Sequence, residues 1–271
     1  MDLRLLGAEM RRSLHRRLVW VLVGLALIGI VVLGVVAYVD SSGKSLAELA
    51  ENGEHPALLE SWWVSSGGGI LMIAGMPLLI GGLLGGASVA GAEWRAGTIT
   101  TVLTWEPRRG RLHLARMLSS FVLASLIALA LETLFLLATL PAVLLNGSTA
   151  GMDGPAWMSL LAAMARIAAL TGVAAVLGGS LATLGRGTTF ALGAVFVWMA
   201  VVENLLRGYK PSWQPMLLGD NLSIVATWHQ LDTADFTRST VLATLTVAGY
   251  LGIVAVGAAV AFVRGDVGAA S

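Results

Sequence analysis

Two charged residues, Glu132 and Arg166, stand alone inside long apolar stretches of this sequence. A charge near the centre of a bilayer costs about 2.5–3.5 kcal/mol on insertion scales, so such residues usually face other helices and pair. Counted along their stretches, both fall near the same end of two segments that a short turn joins. We therefore predict an ion pair between Glu132 and Arg166. Its role is either structural, which we favour, or part of a transport path.

Other groups that could do chemistry lack the spacing that catalysis or metal binding requires. Gly43-Lys44-Ser45 resembles the end of a phosphate-binding loop, but Tyr38 occupies the position of the first glycine. The chain has no cysteines, and its histidines are isolated. We therefore expect no catalytic, cofactor or metal site in this chain. The four histidines are His15, His55, His113 and His229.

The composition places the chain in a membrane. Of its 271 residues 56% are hydrophobic and 12% charged, against about 25% charged in ordinary soluble domains. Six apolar segments reach the roughly 20 residues that a membrane-crossing helix needs. Their length and the lack of alternation exclude a barrel, so the fold class is all-α. The segments run from Leu18 to Val39, Gly67 to Gly91, Met117 to Leu145, Trp157 to Gly185, Thr188 to Leu206, and Ser239 to Val263.

The arginines predict the orientation. With six spans both termini lie on one side, and that side carries 12 of the 17 Lys and Arg residues. Because basic loops stay in the cytoplasm, we expect both termini there. The whole chain, 1–271, then forms one transmembrane domain in a plasma membrane, and we expect the inner membrane of a bacterium.

Three regions outside the spans have patterns of their own. Residues 1–17 place leucines on one helical stripe flanked by arginines, typical of a helix at the membrane surface or of a plain topology signal. Residues 92–116 form the one sizeable cytoplasmic loop. Residues 207–238 contain a short apolar stretch, Met216 to Ala226, which is too short to cross and predicts a short helix on the outer side.

Small residues crowd the second span. Gly81, Gly82, Gly85 and Gly86 form two overlapping small-xxx-small pairs, a spacing that lets helix backbones approach closely in lipid. We expect them to pack against another helix rather than to contact a substrate. Pro77 interrupts the hydrogen bonding of the same helix.

The loop after the second span has a broken helical pattern. A short apolar face precedes Glu106-Pro107, and the residue before a proline is driven out of the helical region while the proline suits a new first turn. Arginines then lead into the third span. The pattern predicts a helix, a sharp break and a basic helix, which is a suitable docking element for a cytoplasmic partner.

This loop resembles the corresponding loop in membrane subunits of ATP-binding-cassette exporters of the ABC type 2 class. There, an acidic residue precedes Gly-Thr/Ser-aliphatic, a leucine pair, and proline with a basic residue. The segment from Phe262 to Asp266 also resembles the aromatic-x-basic-basic-Asp ending of that family, with Gly265 as a departure. The matching loop residues are Glu93, Gly97-Thr98-Ile99, Val102-Leu103 and Pro107-Arg108-Arg109.

The resemblance implies a permease that pairs with a second copy or a homologue. A separate cytoplasmic ABC ATPase subunit would bind ATP and Mg, so this chain would not itself be an enzyme. It would export a hydrophobic or amphipathic compound, such as a drug, a natural product or a lipid. The permease itself would contact membrane lipid and would not bind nucleic acid. The ATPase would contact the loop at Glu93, Gly97, Thr98, Ile99, Val102, Leu103, Pro107 and Arg108.

Two other functions stay open from the sequence. One is a proton-coupled secondary transporter using Glu132 and Arg166, which the lack of internal repeats disfavours. The other is a membrane anchor or assembly factor with no transport path.

Overall fold

Six long helices form the body of the protein. The computed structural model describes residues 3–51, 55–62, 69–99, 101, 104, 107–151, 153–229, 231–232 and 237–265. It is 87% helical, which confirms the all-α class, and six helices are long and apolar enough to cross a membrane. The chain is therefore a multi-pass membrane protein. The spans lie close to their predicted positions: α2 Arg17–Ser41, α4 Gly69–Arg95, α5 Arg109–Asn146, α6 Gly154–Leu184, α7 Thr188–Tyr209 and α9 Thr240–Arg264.

Shorter elements lie at the two ends of this bundle. The predicted N-terminal helix is present, and so is the predicted short helix in the last long loop. Two features are new: α7 contains a π-helical stretch, and a two-residue hairpin pairs Leu231 with Arg238 in antiparallel register. The short elements are α1 Leu3–Leu14, α3 Leu46–Glu51, α8 Leu218–Thr227, β1 Leu231–Asp232, β2 Thr237–Arg238, 3-10 turns Leu59–Trp62 and Pro211–Met216, and the π stretch Val197–Val202.

Helices α4 and α6 form the tightest pair in the bundle, and glycines make it possible. A Cβ on Gly82 would lie 2.4 Å from the Thr171 carbonyl oxygen, and one on Gly86 would lie 1.8 Å from that of Ala175. The predicted packing role is therefore confirmed for these two. Gly81 and Gly85 lie on another face of α4, where a Cβ would meet nothing within 4 Å.

Replacing Gly86 by alanine is expected to destabilise the protein by about 1–3 kcal/mol, because the new methyl group overlaps backbone that cannot move aside cheaply. Gly85→Ala is the matched control and should be neutral or stabilising by up to about 1 kcal/mol, since it only restricts the unfolded chain. Thermal unfolding in detergent, followed by tryptophan fluorescence, measures both. Equal melting temperatures for the two variants would contradict the α4–α6 contact.

Helix α2 stands apart from most of the bundle. It packs along α5 and touches α4 only slightly. Helices α2 and α5 approach closely at Gly34, whose added Cβ would lie 2.7 Å from the Ala138 carbonyl oxygen of α5. Most of its large apolar side chains are exposed, as lipid contact permits. The slight contact with α4 leaves a cavity between the two helices.

The loop between α2 and α4 explains the phosphate-loop-like sequence. Lys44 pairs with Asp40 at 2.7 Å. The Ser45 backbone N–H donates to the Glu48 carboxylate at 2.6 Å, while the Glu48 N–H donates to the Ser45 hydroxyl at 3.3 Å. This reciprocal pair starts α3, and the hydrogen bond from Ser45 lowers the pKa of Glu48. The serine and lysine therefore have local structural roles.

Candidate functional site

Helix α4 ends in a defined turn, from which the chain crosses to α5. The Gly97 N–H donates to the Trp94 carbonyl at 3.3 Å and the Thr98 N–H to the Glu93 carbonyl at 3.1 Å. These two bonds form a Schellman motif, which needs a left-handed residue. Gly97 has φ +65° and supplies it. We call residues 95–108 the elbow, and the end of the bundle that carries it the elbow end.

The predicted partner-contact residues divide into three groups. Glu93 and Ile99 are buried, at 3% exposure each, so they face the chain's own interior. Val102 and Leu103 lie outside the described residues. The exposed members form a surface on the elbow that a partner could touch: Gly97, Thr98, Pro107 and Arg108.

Beneath the elbow, the two sequence segments that carry the family resemblance pack together. Ile99 joins a buried apolar cluster with Leu112 of α5 and Phe262 of α9. The Phe262 ring lies 5.5 Å from that of His113. Arg109 donates to the Gly265 carbonyl at 2.7 Å. The elbow is thereby fixed to the start of α5 and the end of α9; Asp266 lies outside the described residues.

A buried ion-pair network joins the elbow end to the N-terminal helix. The Glu93 carboxylate lies at its centre, 2.7 Å from Arg116 Nη2, 2.8 Å from Arg12 Nη2 and 3.6 Å from Arg16 Nη2. Glu9 lies 3.7 Å from both Arg12 and Arg116. We call Glu9, Arg12, Arg16, Glu93 and Arg116 the charge cluster. It connects α1, the start of α2, α4 and α5.

Three members of the charge cluster, Glu9, Glu93 and Arg116, are buried, while Arg12 and Arg16 are partly exposed. Arg116 is 2% exposed. Arg16 also donates to the Ser88 and Val89 carbonyls at 2.8 and 3.0 Å. Its burial lowers the pKa of the guanidinium, and the nearby Glu93 charge opposes that shift. Because buried ions are costly unless all are compensated, a change to one member affects every element attached to it.

The sequence interpretation missed this cluster. The pattern of residues 1–17 predicts a helix at the membrane surface or a topology signal, yet the buried residues among the described α1 side chains are Glu9 and Ser13. The available signal was Glu9 itself, a carboxylate within an otherwise basic segment. An acidic residue at that position indicates that the neighbouring arginines pair inside the protein and not with lipid phosphates.

The prediction of an ion pair between Glu132 and Arg166 is wrong. The Arg166 Nε donates to the Ala226 carbonyl at 3.4 Å, and its guanidinium lies 5.7 Å from the centroid of the Trp228 ring. Glu132 is fully buried, and within the described residues neither of its carboxylate oxygens has a hydrogen-bond partner. Counting along two helices fixed the depth of both residues but not the side of the helix each one faces.

Arg166 instead helps to hold α8 at the end of the bundle away from the elbow. At the N-terminus of α8, Glu203 accepts from the Leu218 N–H at 2.7 Å and the Gly219 N–H at 3.0 Å. It also accepts from Trp198 Nε1 at 2.9 Å. A carboxylate at the start and a guanidinium at the end both match the helix dipole. The π-helical stretch just before Glu203 changes the direction in which the following side chains of α7 point around the helix axis.

No known family model matches this chain, and no curated protein matches it either.

Proposed function

We propose that this chain is the membrane-spanning permease subunit of an ATP-driven exporter that moves a hydrophobic or amphipathic compound outward. A separately encoded cytoplasmic ATPase would dock on the elbow, and a second permease copy or homologue would complete the pair. The observation that carries this proposal is the elbow itself. Its exposed residues Gly97 and Thr98 belong to the turn that begins at Glu93, the centre of a network that ties together the ends of four helices.

The geometry supports transmission of force from such a docking surface. Gly97 and Thr98 follow Glu93 within one turn, and Glu93 holds both Arg12 and Arg116. Arg109 and Ile99 extend the contact to α9. A push on the elbow would therefore move α1, α4, α5 and α9 together, because closely packed and ion-paired elements transmit displacement.

Arg108→Glu is expected to lower ATP hydrolysis by the purified complex about tenfold or more, because it reverses an exposed charge in the docking surface. The full chain would be purified from its native membrane in mild detergent. Mg-ATP hydrolysis would be measured, and mass spectrometry would identify any co-eluting subunit with a nucleotide-binding sequence. Thr98→Trp, which adds bulk to the same surface, should have a similar effect.

Lys210→Glu is the matched control, since it reverses an exposed charge at the opposite end of the bundle and should leave hydrolysis unchanged. The proposal fails if the parent chain purifies without an ATPase activity. It also fails if Arg108→Glu and Thr98→Trp behave as Lys210→Glu does.

The alternative of a proton-coupled carrier has lost its main support. It depended on an exchange between Glu132 and Arg166, and the structure directs Arg166 to the end of α8 instead. Transport that continues without ATP and stops when the proton gradient is removed would restore that alternative.

A further inference from the structure

A cavity of about 500 Å³ lies between α2 and α4, with α5 and a short part of α6 behind it. Its size suits an organic molecule of drug dimensions. Gly81 and Gly85 form part of its wall, and the absence of side chains there keeps it open. Of the four clustered glycines Gly81, Gly82, Gly85 and Gly86, these are the two that do not serve the contact with α6.

The wall formed by the described residues is almost entirely apolar, with four polar exceptions. One of them, Thr171, is satisfied, since its hydroxyl donates to the Ile167 carbonyl at 2.9 Å. The other three share one property. Ser13, Ser120 and Glu132 all line the cavity, and within the described residues the side-chain oxygens of all three are buried without a hydrogen-bond partner. Buried polar groups are normally satisfied, so unsatisfied ones in a cavity indicate a missing partner. Ser120 and Glu132 lie on the same helix, about 18 Å apart at 1.5 Å per residue.

The character of that partner follows from the charges. Among the described residues that line the cavity, Glu132 is the one ionisable residue. A lone carboxylate in an apolar wall is costly to ionise, and a cation nearby offsets that cost because charges attract strongly at low dielectric. One carboxylate complements one positive charge, and the apolar walls complement a hydrophobic body.

We propose that this cavity binds a hydrophobic organic monocation, with its charge near Glu132. The inference rests on the proposed function, in which this molecule would be the exported compound, but binding needs neither ATP nor the ATPase. An acyl chain of a neutral lipid is the other possible occupant, and it would have no use for the carboxylate.

Tetraphenylphosphonium is a suitable probe. The full chain would be placed in nanodiscs of phosphatidylcholine, a lipid without net charge, and binding of the radiolabelled probe measured against empty nanodiscs. We expect saturable binding, weakened about tenfold or more in Glu132→Gln, because a charge-assisted contact is replaced by a neutral one. Glu51→Gln removes an exposed carboxylate in α3 and should bind as the parent does.

A neutral molecule of similar shape separates charge recognition from simple partitioning. Triphenylphosphine oxide should compete weakly, and its competition should be equal in the parent and in Glu132→Gln. Gly85→Leu places a side chain in the cavity and should weaken binding of both molecules. This second variant keeps the test valid if Glu132→Gln does not fold.

The inference is overturned if the parent chain shows no saturable binding of tetraphenylphosphonium, the result expected of a cavity filled by lipid. It is also overturned if Glu132→Gln binds as tightly as the parent. Because the nanodiscs contain no ATPase, either result leaves the docking proposal standing. Conversely, loss of association with the ATPase would not affect binding of tetraphenylphosphonium to the chain alone.

Discussion

Glu93→Gln is expected to destabilise the elbow end by about 3–5 kcal/mol, the range found when one partner of a buried ion pair is removed. Glutamine has nearly the same shape, so the effect reports charge and not volume. In the parent, two carboxylates face three guanidiniums; in the variant, Glu9 alone faces Arg12, Arg16 and Arg116. Thermal unfolding of the purified chain measures the loss.

The location of the structural change can be observed directly with a single introduced thiol, because the chain contains no cysteine. Ser13→Cys introduces one thiol on the buried face of α1, at a position that is 2% exposed. A maleimide should label it slowly in the parent background and much faster when Glu93→Gln is added, since α1 then separates from α5.

Two controls define the Glu93 result. Arg95→Gln removes an exposed charge two residues along the same helix and should change little. Arg116→Met combined with Glu93→Gln should recover part of the lost stability, because it removes one of the uncompensated guanidiniums. Slow labelling in the Glu93→Gln variant would show that the charge cluster does not hold α1.

Glu203→Ala is expected to cost about 2–4 kcal/mol locally, because the first N–H groups of α8 and the Trp198 N–H lose their common acceptor. Hydrogen exchange is the direct measurement. The amides of Leu218 and Gly219 should exchange about 30-fold faster or more than in the parent, while the amides in the middle of α5 should not change.

Asn204→Ala is the matched control for Glu203. Asn204 is the next residue and is exposed; it donates to the Met199 and Ala200 carbonyls of its own helix and accepts from Arg207 at 3.4 Å. It should leave exchange in α8 unchanged. If Glu203→Ala does the same, the carboxylate does not cap α8, and its burial needs another explanation.

The helices could be predicted from the sequence because lipid permits few solutions. Apolar length alone locates a span, and all six lie within a few residues of their predicted positions except the start of α5. That helix begins at Arg109 and not near Met117, because Pro107 permits a new helix at once and arginines are tolerated in its first turns. The π-helical stretch in α7 left no compositional sign, since its residues are as apolar as their neighbours.

The lateral arrangement of the helices could not be predicted in the same way. Arg166 and Glu132 lie at similar positions along their two helices, which is why the sequence suggested a pair. Arg166 nevertheless faces α8, and Glu132 faces a cavity. Which way a residue faces depends on how the helix is rotated, and a span that is apolar all round carries little information about rotation. The glycines show this limit most clearly, since neighbouring pairs on α4 serve opposite purposes.

The charge cluster has a consequence for biosynthesis. Glu9 and Arg12 are made early, but Arg116 follows roughly 100 residues later, which takes about 5–20 s at ordinary ribosomal speed. Until Glu93 is made, roughly 80 residues after Arg12, α1 has no internal counter-charges beyond its own. Its leucine stripe suits a temporary position on the lipid surface. The first helix to leave the ribosome would thus be among the last to reach its final place, and its arrival would signal that the third span has been inserted.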